Sequence, residues 1–201
     1  MLSLAQFAAI LAGVEEIFDF QSLRIQQPGK LLADRASYHI FNDQRQLIAT
    51  ATEAEGHGRV KLRGAMIDIR EFSVTTPAGV PVLSLTKQNT TWSTEIKEPG
   101  GEVIGRIRTE PNRRNYTLLD EAGQTVGQAV GDLGLKRFAV MAAEGGTFAR
   151  VRKTWAGLRK EMLTSSDHYE IEFTGPPVSR LARVLTVMVP IVLDLTSYEP
   201  L

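Results

Sequence analysis

The stretch Val178–Asp194, VSRLARVLTVMVPIVLD, is apolar on nearly every side of a helical projection. A helix with no polar face needs apolar surroundings all round it. Everything before it reads as short strands and turns, including the alternating Tyr169-Glu-Ile-Glu-Phe173 just upstream and the Thr-Gly-Pro-Pro break that follows it. Many strands and one such helix imply that the strands wrap the helix. A membrane span is the competing reading, but the uncharged run Val184–Leu193 is ten residues, and a span needs roughly 20. Widening the run takes in Arg183 and Asp194, both costly in lipid. The helix is therefore expected to be buried in protein. Pro190 inside it removes one backbone donor, which predicts a kink near Thr186–Pro190 or a break and restart there. Asp194, the acid near the apolar end, is expected to be paired or to lie at the barrel mouth.

Outward from the helix, one pattern recurs: an aromatic residue, an apolar residue two further on, a turn containing Asp, Asn or Gly, then an apolar pair. It is present in Tyr38–Ile48, Phe72–Leu83 and Tyr116–Val126. Turn residues between alternating runs are a hairpin signature. Further strands are expected at 23–26, at 59–63 and 66–70 around Gly64, and at 92–97 and 103–108 around Pro99-Gly-Gly101. Others are expected at 127–130, 138–142, 148–153 and 158–163. About a dozen short strands with regular turn signals describe a sandwich or barrel. The 201 residues suit one domain. It comprises an amphipathic N-terminal helix over 1–18, barrel strands over 19–174 and a central helix over 178–196. The N-terminal run lacks the basic residues of a secretory signal and of most surface anchors, so it is expected to dock on the domain.

With no cysteine there is no disulfide framework, thiolate metal site or cysteine nucleophile. A formal net charge of +0 gives no indication of a nucleic-acid partner. His39, His57 and His168 have no metal-ligand spacing. No nucleophile elbow, Walker loop or dinucleotide fingerprint is present, and Gly127, Gly131 and Gly134 read as turn and bulge glycines. The chain is not expected to be an enzyme. Trp92 and Trp155 read as core aromatics. The informative polar feature is basic clustering: Arg106, Arg108, Arg113 and Arg114; Lys136 with Arg137; and Arg150, Arg152 and Lys153, followed by Arg159 and Lys160. Strand alternation puts Arg106 with Arg108, and Arg150 with Arg152, on shared faces. Such patches suit anionic headgroups or are ordinary solvated faces balanced by acids.

The segment Ala149–Phe173, with Lys153, Trp155, Gly157, Glu161, Asp167 and Tyr169, followed by an apolar helix ending Leu193-Asp194-Leu195, resembles the phospholipid scramblases and LURP-one-related proteins. The hairpin Tyr38–Ile48 and the Gly105-Arg106-Ile107 stretch resemble theirs too. The resemblance implies a Tubby-like fold, a closed antiparallel barrel of about twelve strands around a central hydrophobic C-terminal helix. It also implies a phospholipid- or phosphoinositide-binding module at a membrane surface, cytoplasmic or peripheral at the inner face of the plasma membrane. Arg106, Arg108, Lys136, Arg137, Arg150, Arg152 and Lys153 are then the candidate headgroup residues, and an anionic membrane the expected partner. The family's calcium segment is Asp-rich. Here Asp167, Glu170 and Glu172 are the candidate ligands, fewer than the six to eight oxygens calcium takes. No other cofactor is implied. The alternative is a soluble protein-interaction or signalling scaffold with no lipid activity; a barrel holding a small apolar ligand would need its centre free of the helix.

Overall fold

The computed structural model describes residues 17–28, 35–55, 58–62, 65–155 and 167–197. The strands are β1 (Ser22–Gln26), β2 (Ser37–Phe41), β3 (Leu47–Glu53), β4 (Gly58–Leu62), β5 (Ala65–Thr75), β6 (Pro81–Gln88) and β7 (Ser93–Lys97). They continue as β8 (Val103–Thr109), β9 (Asn115–Asp120), β10 (Thr125–Gly131), β11 (Arg137–Ala142), β12 (Thr147–Trp155) and β13 (Asp167–Phe173). One helix, α1 (Arg180–Ser197), follows. All pairings are antiparallel, in the order β3-β2-β1-β13-β12-β11-β10-β9-β8-β7-β6-β5-β4. The ring closes where β5 pairs with β3, Phe72–Thr75 against Thr50–Glu53. The first half of β5 pairs instead with β4, which hangs outside the ring. Twelve strands therefore make the closed barrel and β4 extends it. Closure removes the unpaired edges that an open sheet would present.

Alternation decides what faces inward. Leu23 and Ile25, Tyr38 and Ile40, Phe72 and Val74, and Tyr169, Ile171 and Phe173 are all buried, as a period of two requires. They meet α1, whose residues from Val184 to Leu195 are buried all round. The helix fills the barrel centre. Gly105 permits close approach: a Cβ there would lie 2.7 Å from the Leu119 carbonyl oxygen and 3.2 Å from Leu181 Cδ1. Ser179 caps the helix, its Oγ accepting from the Ala182 N–H at 3.2 Å. Arg183 is built into the structure by three contacts. Its Nε and Nη2 donate to the carbonyls of Phe18 and Phe20 at 2.6 and 2.7 Å, and its guanidinium lies 3.8 Å from the centre of the Phe173 ring. Burial pulls its pKa below the ordinary arginine value, opposed by Asp19.

Several expectations change. The helix runs continuously through Pro190, with no break and restart, because burial on every side holds the turn that lost its donor. The strands expected at 66–70 and 72–75 are one strand, β5. The strand expected at 158–163 and residues 1–16 of the expected N-terminal helix lie outside the described residues, as do His57, Arg159, Lys160 and the side chain of Trp155. Trp92 is 51% exposed, so it is not a core aromatic.

The hairpins give the barrel two unlike rims. Successive antiparallel turns alternate ends. The turns after β2, β5, β7, β9 and β11 lie at the end where α1 begins, the N-rim. Those after β6, β8 and β10 lie where α1 finishes, the C-rim. All five N-rim turns share one geometry. In the first, the Asn42 N–H donates to the Gln46 carbonyl and the Arg45 N–H to the Asn42 carbonyl; in the fourth, the Asp120 N–H donates to Gln124 and the Gly123 N–H to Asp120. The fourth residue of each has a positive φ, +62° at Arg45 and between +77° and +99° at Gly79, Gly101, Gly123 and Gly145. This is the three-residue loop with a glycine bulge, and the register slips beside each of them. The hairpin pattern that recurs in the sequence is thus one rim of the barrel.

Candidate functional site

The basic residues of β11 and β12 stand on the outer wall. Register carries Arg137 of β11 to Arg152 of β12, Glu170 of β13 and Arg24 of β1 in one row. The next outward row is Val130, Ala139, Arg150, Glu172 and Ser22. The small side chains of Val130 and Ala139 leave a groove of about 540 Å³, walled by Arg137, Arg150, Arg152, Glu170 and Glu172.

Its charges are partly paired. Glu170 accepts from Arg24 Nη2 at 3.1 Å and, at its other oxygen, from Arg152 Nη2. Arg152 foremost, then Arg24, hold the Glu170 carboxyl below its usual pKa, against the opposing effect of burial; Glu170 in turn raises Arg152. Arg137 Nε reaches Asp132 Oδ2 at 3.3 Å. The Asp132 carboxyl is held low mainly by the Lys136 backbone N–H, which closes the β10–β11 turn onto it. Arg150 is exposed and makes no ion pair among the described residues. The groove therefore offers one uncommitted guanidinium in the row next to two that are held in place.

The other sequence candidates go elsewhere. Arg106 and Arg108 lie on β8, four strands from β12 around the ring. Arg106 donates to the Glu121 carbonyl at 3.1 Å and approaches Glu95 at 3.6 Å, while Arg108 reaches Glu110 at 3.2 Å. Lys136 sits in the β10–β11 turn. Lys153 is on the opposite face of β12 from Arg152: its Nζ lies 3.7 Å from Asp194 Oδ1 and 5.3 Å from the centre of the Tyr169 ring. Alternation along Arg150-Val-Arg-Lys153 already separates Lys153 from the arginines. Tyr169 Oη donates to the same Asp194 oxygen at 2.5 Å, so Asp194 is paired inside the barrel.

Of the calcium candidates, Glu170 is occupied by two guanidinium groups, which compete with any cation. Glu172 is exposed beside them. Asp167 pairs through its backbone with Trp155, three residues along β13 from Glu170, and its side chain lies outside the described residues. No cluster of three metal-ligating side chains occurs among the described residues. The sequence reading missed Arg24, whose link to Glu170 joins residues 146 apart; only the β1–β13 register shows it. No helix among the described residues is long and apolar enough to cross a membrane.

The scramblase family model matches residues 34–200. No curated protein matches the sequence. Among solved structures, an Arabidopsis thaliana protein superimposes with a TM-score of 0.55 at 8% identity, over 88% of this chain and 91% of that one, a likeness of fold. A porin-like protein of Bacteroides uniformis, at 6% identity over 78% of this chain and 98% of its own, reaches a TM-score of only 0.21, which carries no argument.

Proposed function

Because the chain belongs to the scramblase family, we propose that it is a phospholipid- or phosphoinositide-binding module working at a membrane surface, with no chemistry of its own. The observation that carries this reading is the outer groove of Arg137, Arg150 and Arg152. Guanidinium groups bind phosphate oxygens in a planar, bidentate way. Arg150 is uncommitted, and Glu170 holds Arg152 in place beside it. Each basic residue near an anionic bilayer contributes about 1 kcal/mol. Arg106, Arg108 and Lys136 are secondary candidates, since none of them lines the groove, and Lys153 has an internal role. The association is peripheral, on a cytoplasmic membrane face where anionic lipid is concentrated.

The test is vesicle flotation of the wild type and of Arg150→Glu/Arg152→Glu, with phosphatidylcholine vesicles and with mixed phosphatidylcholine–phosphatidylserine vesicles. The wild type is expected to float with the mixed vesicles, and the double reversal to lose about tenfold or more in affinity with its melting temperature nearly unchanged. Equal flotation of the two proteins would remove the groove from the reading. Failure of the folded wild type to float with any vesicle would leave the protein-interaction scaffold in front.

A further inference from the structure

Among the described residues, exposed large apolar side chains are few: Leu133 is 87% exposed, Trp92 51% and Leu47 38%. The two most exposed belong to the same rim. Trp92 lies at the end of the β6–β7 turn and Leu133 in the β10–β11 turn, with the β8–β9 turn between them, all at the C-rim. Four strand spacings of about 4.8 Å separate the outer two turns, about 20 Å along the rim. Basic residues stand between and beside them. Arg113 stacks its guanidinium 5.5 Å from the centre of the Trp92 ring, Arg114 follows it, and Lys136 and Arg137 flank Leu133 on its C-terminal side.

The two acids of these turns are engaged. Glu110 accepts from Thr117 and Arg108, and Asp132 from its own turn and Arg137. The opposite rim carries Asp43, Glu98, Glu102, Glu121 and Glu144 in its turns against Arg45. These C-rim turns are thus basic and apolar, and the N-rim turns acidic.

The C-rim turns are also built differently. The Asp132 N–H donates to the Arg137 carbonyl and the Glu110 N–H to the Asn115 carbonyl, making each loop one residue longer than those of the N-rim. Their positive-φ positions are not glycines but Leu135 at +51° and Arg113 at +54°, a conformation that costs L-residues free energy. In the β10–β11 turn Leu135 turns back against the core while Leu133 is left standing out. The third turn is braced from below by Lys87, a buried lysine whose Nζ donates to the carbonyls of Gln88 and Thr91. Strain and a buried cation are thus committed to turns whose tips are a leucine and a tryptophan. Exposed apolar side chains ringed by polar groups mark interaction sites, and tryptophan with basic neighbours suits the bilayer interface.

We propose that the C-rim is the face that docks on an anionic bilayer, with Leu133 and Trp92 entering the headgroup layer and Arg113, Arg114, Lys136 and Arg137 against lipid phosphates. The proposal rests on the lipid-binding reading above and gives it an orientation. Arg137 belongs to both rim and groove, so the groove adjoins the rim.

The absence of cysteine allows single-site labelling. Leu133→Cys and, as an N-rim control of the same residue type, Leu47→Cys are each coupled to a polarity-sensitive fluorophore and titrated with mixed phosphatidylcholine–phosphatidylserine vesicles. The label of the Leu133→Cys variant is expected to shift to the blue and to be quenched by brominated acyl chains, and that of the Leu47→Cys variant to stay in water. Trp92→Ala/Leu133→Ala, changed at exposed turn positions, is expected to bind these vesicles about tenfold more weakly. A C-rim label that stays in water on floating vesicles, or a double variant that binds as the wild type does, would overturn the orientation while leaving the lipid reading in place. Absence of wild-type flotation would remove both.

Discussion

The two ends of the barrel are made from the same strands and differ in almost every other respect. At the N-rim the turns are short, glycine-rich and acidic. Beneath them lies a cavity of about 460 Å³ whose inner wall is apolar (Phe18, Val82, Leu83, Ile104, Leu181 and Val184) and whose mouth carries Glu98, Glu121 and Arg180. At the C-rim the β8–β9 and β10–β11 turns are longer, basic and hold non-glycine residues at positive φ. The interior there is polar: Lys153 and Tyr169 meet Asp194, Tyr116 Oη lies 3.5 Å from Thr196 Oγ1, and Lys87 is buried. Four of the five N-rim turns use glycine where the backbone needs a positive φ and so relieve strain; the β2–β3 turn, with Arg45 at +62°, does not. The C-rim retains strain and buried charge, features that accompany sites more often than plain scaffolding. The proposed docking orientation rests on this difference.

Three changes would break or sharpen that contrast. The largest effect is expected from Asp194→Ala. The change removes a buried carboxylate that accepts from the Tyr169 hydroxyl and faces Lys153, a loss of about 3 kcal/mol in chemical denaturation. A loss below about 1 kcal/mol would mean that the C-rim interior is wet and the contrast false.

The second concerns alkaline pH. Tyr116 is pushed up to about 12, chiefly by burial, with Asp194 adding to the rise against the Thr196 hydrogen bond. Its folded pKa lies above the unfolded value of about 10. Its contribution is therefore complete below about pH 10 and is lost as pH rises from about 10 toward about 12, by about 2–3 kcal/mol. Urea unfolding should show a steeper decline over that window in the wild type than in Tyr116→Phe; parallel declines would contradict a dry polar cluster.

The smallest effect separates the turns. Gly123→Ala on the N-rim should cost about 1 kcal/mol, and Arg113→Gly on the C-rim should be neutral or gain up to about that amount. Matching signs would show that the turns differ in sequence and not in strain.

The sequence carried the barrel and its centre, because both rest on periodicity. Val178–Asp194 has no polar face, and the strands alternate. The recurring hairpin was also legible, though not that all its copies turn at one end, which follows only once strand order is known. Side-chain placement was legible where alternation applies: Arg150 and Arg152 share the outer face, and by the same rule Lys153 leaves it. What could not be read were contacts between distant strands. Nothing near Glu170 in the chain announces Arg24, and Asp194 gives no sign of Tyr169 and Lys153. Trp92 was misread because its residue type is apolar, whereas its place just after a turn decides its exposure. Leu133 carried no signal for the same reason: one leucine in a polar turn looks ordinary until the rim is assembled.

The most direct measurement is flotation of the folded wild type with mixed phosphatidylcholine–phosphatidylserine vesicles at low and high salt, beside Arg150→Glu/Arg152→Glu. The expected result is wild-type binding that weakens with salt, as exposed charge pairs do, yet persists in part through Leu133 and Trp92, with the reversal bound far more weakly at low salt. Wild-type protein that stays at the bottom of the gradient under both conditions would contradict the claim that this barrel works at a membrane.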